Sequence, residues 1–352
     1  MNNNKEKKEK REKLNQKLIE CVKEEGISFK IKLHKMEYLV YLGADVNYKF
    51  GNDLRTCLHY ACKNGELEVV KWLIEHGGKL DNKDKKARLP LMYAVVENRF
   101  GVAKYLVEKG ADVNSVDEFG NSVLVYAAAG GDVLLLKYLM ENGAQAIEKE
   151  KSLQQTPISS AAGHGNLSVV KFLIENGEDV NDRKSYECIS PLCRASMQGH
   201  IEVMKFLLSK GAEVDLADRR NKTPLMWAVE KGELEAVNLL LKMGAEIDKK
   251  TIDNETALWF AVKEDRIEVA KRLIEKGASL DVRNWRDVSI LEQSMLNGSK
   301  EMASLLVLNG VKVDVKKKNW DERYNEMVDF VNKQAKSRIL GRISKCFGFG
   351  KD

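Results

Sequence analysis

The stretch Thr223-Pro224-Leu225-Met226-Trp227-Ala228-Val229-Glu230-Lys231-Gly232 decides the fold. Thr223 is a good N-cap, because its hydroxyl can accept from a free amide of the first helical turn. Pro224 suits the first helical position, where no N–H is needed and φ is already set. Ala228 is small enough to let this inner helix lie close to its neighbours. Gly232 ends it, since glycine takes the left-handed conformation without a Cβ penalty. Leu234, Val237, Leu240 and Leu241 then recur at helical spacing, which predicts the buried stripe of an outer helix. The phrase Met243-Gly244-Ala245-Glu246-Ile247-Asp248 closes the unit, and a polar finger leads to the next.

The closing phrase returns as Gly43-Ala44-Asp45-Val46-Asn47, Gly110-Ala111-Asp112-Val113-Asn114, Gly211-Ala212-Glu213-Val214-Asp215 and Gly277-Ala278-Ser279-Leu280-Asp281. The marker glycines 43, 77, 110, 143, 177, 211, 244, 277 and 310 are spaced by 33 or 34 residues. A fixed period of this length means a solenoid of stacked units. The chain's four prolines, Pro90, Pro157, Pro191 and Pro224, all occupy the same column.

Thr-Pro-Leu-x-x-Ala-x-x-x-Gly followed by Gly-Ala-Asp-Val-Asn resembles the ankyrin repeat. The resemblance spans residues 14–314, about nine units, of which the first and last are degenerate caps. It implies an all-α ankyrin-repeat solenoid of helix–turn–helix units with β-hairpin-like fingers. It also implies the binding of another protein and no catalysis. One departure recurs. The family carries His at the fourth place of the opening phrase, where it helps to hydrogen-bond neighbouring fingers. Here only His59 keeps it, and Met92, Val125, Ser159, Cys193, Met226, Trp259 and Glu292 stand in the column. The fingers are therefore expected to be less rigid. Asn98 and Asp265 replace the glycine that ends the inner helix, and both residue types tolerate a left-handed backbone.

Outside the repeats, residues 1–13 form a charged stretch expected to be disordered, with a helix starting near Leu14. Residues 315–352 comprise a basic linker, Lys316-Lys317-Lys318, and an amphipathic C-terminal helix. Asn319 is its candidate N-cap, and Asp321 and Glu322 suit its first turn. Trp320, Tyr324, Met327 and Val331 are expected to cover the last repeat, leaving a loose basic end from about Arg338. The tail carries a net +5, so a peripheral membrane adaptor anchored through 319–352 is the alternative reading.

With 32% charged residues and no apolar run of about 18 residues, a membrane-spanning helix is not expected. The basicity sits at the two ends, and the repeats are about −2, which gives no sign of a nucleic-acid groove. Cys57/Cys62 and Cys188/Cys193 are five apart, not at zinc-knuckle spacing, and read as reduced packing residues of an intracellular protein. The five histidines make no catalytic pairing, and no phosphate-binding loop is present. The expectation is a cytoplasmic monomer without cofactor, metal or enzymatic activity, with delivery into a host cell left open.

Two sets of residues are candidates for partner binding. The column after the family His holds Tyr60, Tyr93, Tyr126, Ser160, Arg194, Trp227, Phe260 and Gln293, five aromatics in eight places, against 7% in the whole chain. Such a strip on the concave face suits binding hot spots, and equally suits packing between inner helices. The finger tips add Phe119, Tyr186, Arg219, Arg220 and Trp285, positions that set partner choice in the family.

Overall fold

The computed structural model describes residues 2–24, 26–145, 155–313 and 322–346. It divides into two compact units, Met1–Tyr186 and Glu187–Asp352. The first contains α1 (Asn2–Lys23), α2 (Phe29–Tyr41), α3 (Cys57–Asn64), α4 (Leu67–Glu75), α5 (Pro90–Val96), α6 (Phe100–Glu108), α7 (Val123–Gly130), α8 (Val133–Glu141), α9 (Pro157–Gly163) and α10 (Leu167–Glu175). The second contains α11 (Pro191–Met197), α12 (Ile201–Ser209), α13 (Pro224–Lys231), α14 (Leu234–Lys242), α15 (Ala257–Lys263), α16 (Ile267–Glu275), α17 (Ile290–Leu296), α18 (Lys300–Asn309) and α19 (Glu322–Cys346). No sheet forms among the described residues; isolated bridges such as Val116 to Ser122 and Arg283 to Ser289 close individual fingers.

The short helices start and stop where their side chains dictate. The Thr223 hydroxyl accepts from the Met226 amide at 3.3 Å, and the prolines stand at the helix starts as read. In the ninth repeat Ser289 and Glu292 cap each other, with the Glu292 carboxylate accepting the Ser289 amide at 3.0 Å. Asn98 and Asp265 both take φ 53°, the glycine conformation of that column.

Inner helices stack on inner helices within each unit, and each outer helix buries one narrow stripe. In α14 this stripe is Ala236, Val237 and Leu240. The expected stripe is thus shifted: Leu234 at the first helical position is exposed and Leu241 is half-buried. The same register buries Val69, Val70 and Leu73 in α4 and Val269, Ala270 and Leu273 in α16.

The two ends differ from the expectation in detail. α1 begins at Asn2, not near Leu14, so the charged residues expected to be disordered belong to the helix. Lys and Glu are good helix formers, and Glu6/Lys10 and Glu9/Lys13 have the favourable i, i+4 order. Tyr48 donates to Glu12 at 3.3 Å, tying this extension to the first finger. Near the other end of α1, against the Val22 carbonyl, lies a buried lysine that the sequence does not announce. Lys32 is 1% exposed and its ammonium donates to both Glu66 oxygens, at 2.6 and 2.7 Å.

At the other end α19 packs on α17 and α18, burying Tyr324, Met327, Val328 and Val331. The last repeat therefore has its following layer, as a solenoid end requires. The stretch Glu148-Lys149-Glu150-Lys151, the linker 316–318, Asn319, Trp320, Asp321, Phe347 and Phe349 lie outside the described residues, as do the side chains from Arg338 onward.

Candidate protein-binding cleft

The fingers are built by one recurring device. In Asp84, Asp117 and Asp218 one carboxylate oxygen accepts the amides two and four residues on, at 2.8 to 2.9 Å. This is an Asx turn, in which a side chain supplies the acceptor that folds the tip. Thr251 and Asn284 do the same with a hydroxyl and an amide oxygen. The second carboxylate oxygen then holds the ring nine residues on: the Tyr93 and Tyr126 hydroxyls each donate at 2.7 Å, and the Trp227 indole N–H at 3.1 Å. Burial and the adjacent carboxylate raise the pKa of both tyrosines well above the usual phenol range.

Successive fingers are also joined through the backbone. Lys85 N–H donates to Asp53 O at 2.8 Å and Glu118 N–H to Lys86 O at 2.9 Å in the first unit. In the second, Arg219, Ile252 and Trp285 amides donate to Glu187, Arg220 and Asp253 carbonyls at 2.9 to 3.1 Å. These bonds form whether or not the histidine is present, so its scarcity does not leave the fingers untied. His59 itself is fully buried. Its Nδ1 accepts the Thr56 amide at 3.1 Å and its Nε2–H donates to Arg88 O at 3.2 Å. Burial lowers its pKa to about 4.

The candidate residues separate on this frame. Tyr93 is buried, meets His59 edge-on at 5.4 Å and carries Arg88 over its face at 4.8 Å. Tyr126 is half-buried and braced by Asp117. Tyr60 is half-buried beneath the Lys23 ammonium, 4.3 Å from the ring centroid. Phe119 is exposed, with Lys86 at 5.8 Å, and Tyr186 is exposed at its fingertip. Arg194 is half-buried in the second unit, where burial lowers its pKa, and Arg219 is exposed.

Four of the candidates come together. Arg220, Trp227, Phe260 and Trp285 line one cleft of about 730 Å³ between fingers and inner helices of the second unit. Trp227 packs one side against Ile189, Cys193 and Met197. Over its ring lies the Lys222 ammonium, 3.5 Å from the centroid and 4.4 Å from that of Phe260. Lys222 is buried and bound to Glu230; burial lowers its pKa while the carboxylate opposes the shift. Arg220 pairs with Asp253 at 2.5 Å. Trp285 is 63% exposed, its backbone fixed by Asp253 and its ring accompanied only by Arg286, 4.6 Å away among the described ring contacts. Trp259, in the His column, is buried with its indole N–H unpartnered in the wall of this cleft.

Sequence reading missed Lys222 and Trp259. Nothing in a lone lysine before Thr-Pro signals burial over two rings, and Trp259 stands where the sequence suggests only a lost histidine. The arrangement offers aromatic surface with fixed charges around it. Among the described residues no cluster of His, Cys, Asp and Glu could hold a metal ion.

Comparison with known families agrees with the repeat register. The model described as "Ankyrin repeats (3 copies)" matches residues 27–117, 113–184 and 185–251, and the single "Ankyrin repeat" model matches 253–285. A search of the curated proteins finds no match to the chain.

Proposed function

Because the chain belongs to the ankyrin-repeat family, whose repeats are protein–protein interaction modules, we propose that it is a non-catalytic scaffold that takes a segment of a partner protein into the cleft of its second unit. The observation that carries this reading is Trp285. A large ring left mostly in water beside a pre-formed cleft contributes little to the fold, yet its backbone is held in place. Little ordering entropy is then lost when a partner covers it. Trp227 serves both purposes, with one side in the core and one toward the cleft. Tyr93 and Tyr126 act mainly as finger braces, and Phe119, Tyr186, Arg219 and Arg194 are secondary contacts at most. The setting proposed is cytoplasmic, with reduced cysteines and a monomeric chain, without nucleic acid or cofactor.

No helix among the described residues is long and apolar enough to cross a membrane. In the first half of α19, Tyr324, Met327, Val328 and Val331 are buried where the helix packs on α17 and α18, which leaves these four side chains no part in a membrane anchor.

The test is affinity capture with the full chain, followed by titration of the captured partner. Trp285→Ala should weaken binding by about 2 kcal/mol or more, the size of a hot spot, and leave the denaturation midpoint unchanged. Unaltered affinity in Trp285→Ala and Trp227→Phe together would remove the cleft from the binding surface.

A further inference from the structure

The repeats serve as their own alignment on the outer helices. The second helical position reads Glu68, Gly101, Leu134, Ser168, Glu202, Glu235, Glu268 and Glu301. Three residues on, the column reads Lys71, Lys104, Lys137, Lys171, Lys205, Asn238, Lys271 and Ser304. Wherever both charges are present they pair: Glu68–Lys71 at 2.8 Å, Glu202–Lys205 at 2.7 Å and Glu268–Lys271 at 2.6 Å. Among the second to ninth repeats, the three outer helices that lack the glutamate, α6, α8 and α10, are consecutive and all lie in the first unit.

Losing that carboxylate has two consequences. Among the described residues, Lys104 and Lys137 keep only wide ion pairs, to Glu108 at 3.9 Å and Glu141 at 3.8 Å. An apolar patch also appears between them. Leu134 is 71% exposed, and the partly exposed Phe100 ring meets Tyr138 across the two helices at 5.7 Å.

Gly101 is the second, independent observation. It lies in the first turn of α6 without a positive φ, and a Cβ there would meet nothing closer than the Leu67 Cδ2 at 3.9 Å. Glycine is the poorest helix former after proline, and here packing does not require it. An exposed leucine and an unneeded glycine on adjacent helices both cost the free protein something. Both make sense if another backbone lies close over Gly101 and apolar side chains cover Leu134 and Phe100.

We infer that the outer face of α6 and α8 is a second protein-docking surface, and that its occupant is an amphipathic helix with an apolar stripe flanked by carboxylates. Close approach at a glycine suits a helix, and Lys104 and Lys137, relieved of their i−3 glutamates, supply the complementary charge. The surface shares no residue with the cleft, so the two readings stand or fall separately.

The test restores the repeat's own residues. In the full chain, Gly101→Glu with Leu134→Glu rebuilds both Glu–Lys pairs and should keep or raise the melting temperature. A displayed library of helical peptides is selected on the wild type and counter-screened on this double variant and on Trp285→Ala. The expected winners carry an i, i+3/i+4, i+7 apolar stripe with Asp or Glu beside it. They should lose at least about tenfold in affinity on the double variant and none on Trp285→Ala. Winners that are basic, or that bind the folded double variant equally well, overturn the proposal. So does wild-type self-association abolished by the double substitution, which would assign the patch to a second copy. Loss on Trp285→Ala alone would point to the cleft and also count against this surface.

Discussion

Leu225→Ala is expected to destabilise the chain by about 2–5 kcal/mol, the range for truncating a fully buried leucine. Leu225 is 0% exposed at the second position of α13. Its removal costs transfer energy and leaves a cavity that the flanking helices α11 and α15 can only partly fill. In a stack each repeat contacts only its neighbours, so a loosened seventh repeat weakens the interfaces on both sides. Urea denaturation followed by circular dichroism measures the change. The control is Lys85→Ala at an exposed fingertip, where the ladder bond is made by the backbone amide and survives; a change within about 0.5 kcal/mol is expected. Similar losses at both sites would mean that the inner helices are not the core.

Stability is also expected to fall on mild acidification, and His59 is the named cause. Its pKa is lowered to about 4 in the folded state by burial. As pH falls, the unfolded chain takes up the proton first, from its ordinary value near 6.5. The histidine's contribution is therefore constant above that value and is lost progressively on the way down to about 4. Linkage puts the loss at about 2 kcal/mol between about pH 6.5 and 4.5. His59→Gln should be less stable at neutral pH, because the bonds to Thr56 and Arg88 change, but its stability should depend less on pH across this window. Parallel pH slopes for the two proteins would contradict a buried neutral imidazole.

The architecture was legible because every level of the sequence repeats. Glycine spacing, the proline column and the Thr/Ser caps all state one period, and the helices fall where those residues place them. Asn98 and Asp265 were readable as glycine substitutes because backbone tolerance is local. What could not be read depends on contacts between repeats. Lys32 is polar by type and buried by a carboxylate 34 residues away. The interval from Asp84 to Tyr93, Asp117 to Tyr126 and Asp218 to Trp227 is constant, so the ring braces were present in the pattern. Their meaning needed the finger geometry that brings each Asp back over its own helix. For the same reason the aromatic column seemed uniform in sequence and divides in space. Its members in the first unit are bonded or packed, while Trp227 and Phe260 border a cleft that Trp285 completes from a different column. The start of α1 was not legible, because a charged composition fits a solvated tail as well as a helix of Lys and Glu.

In the proposed complex a partner lies against the fingers and inner helices of the second unit. Hydrogen–deuterium exchange on the full chain, with and without a partner obtained by affinity capture, tests it most directly. The expected result is slowed exchange in the fingertips 218–222, 251–255 and 284–288 and in the ends of α13 and α15 that face them. Unchanged exchange at those three fingertips in a saturated complex, with protection elsewhere, would contradict it.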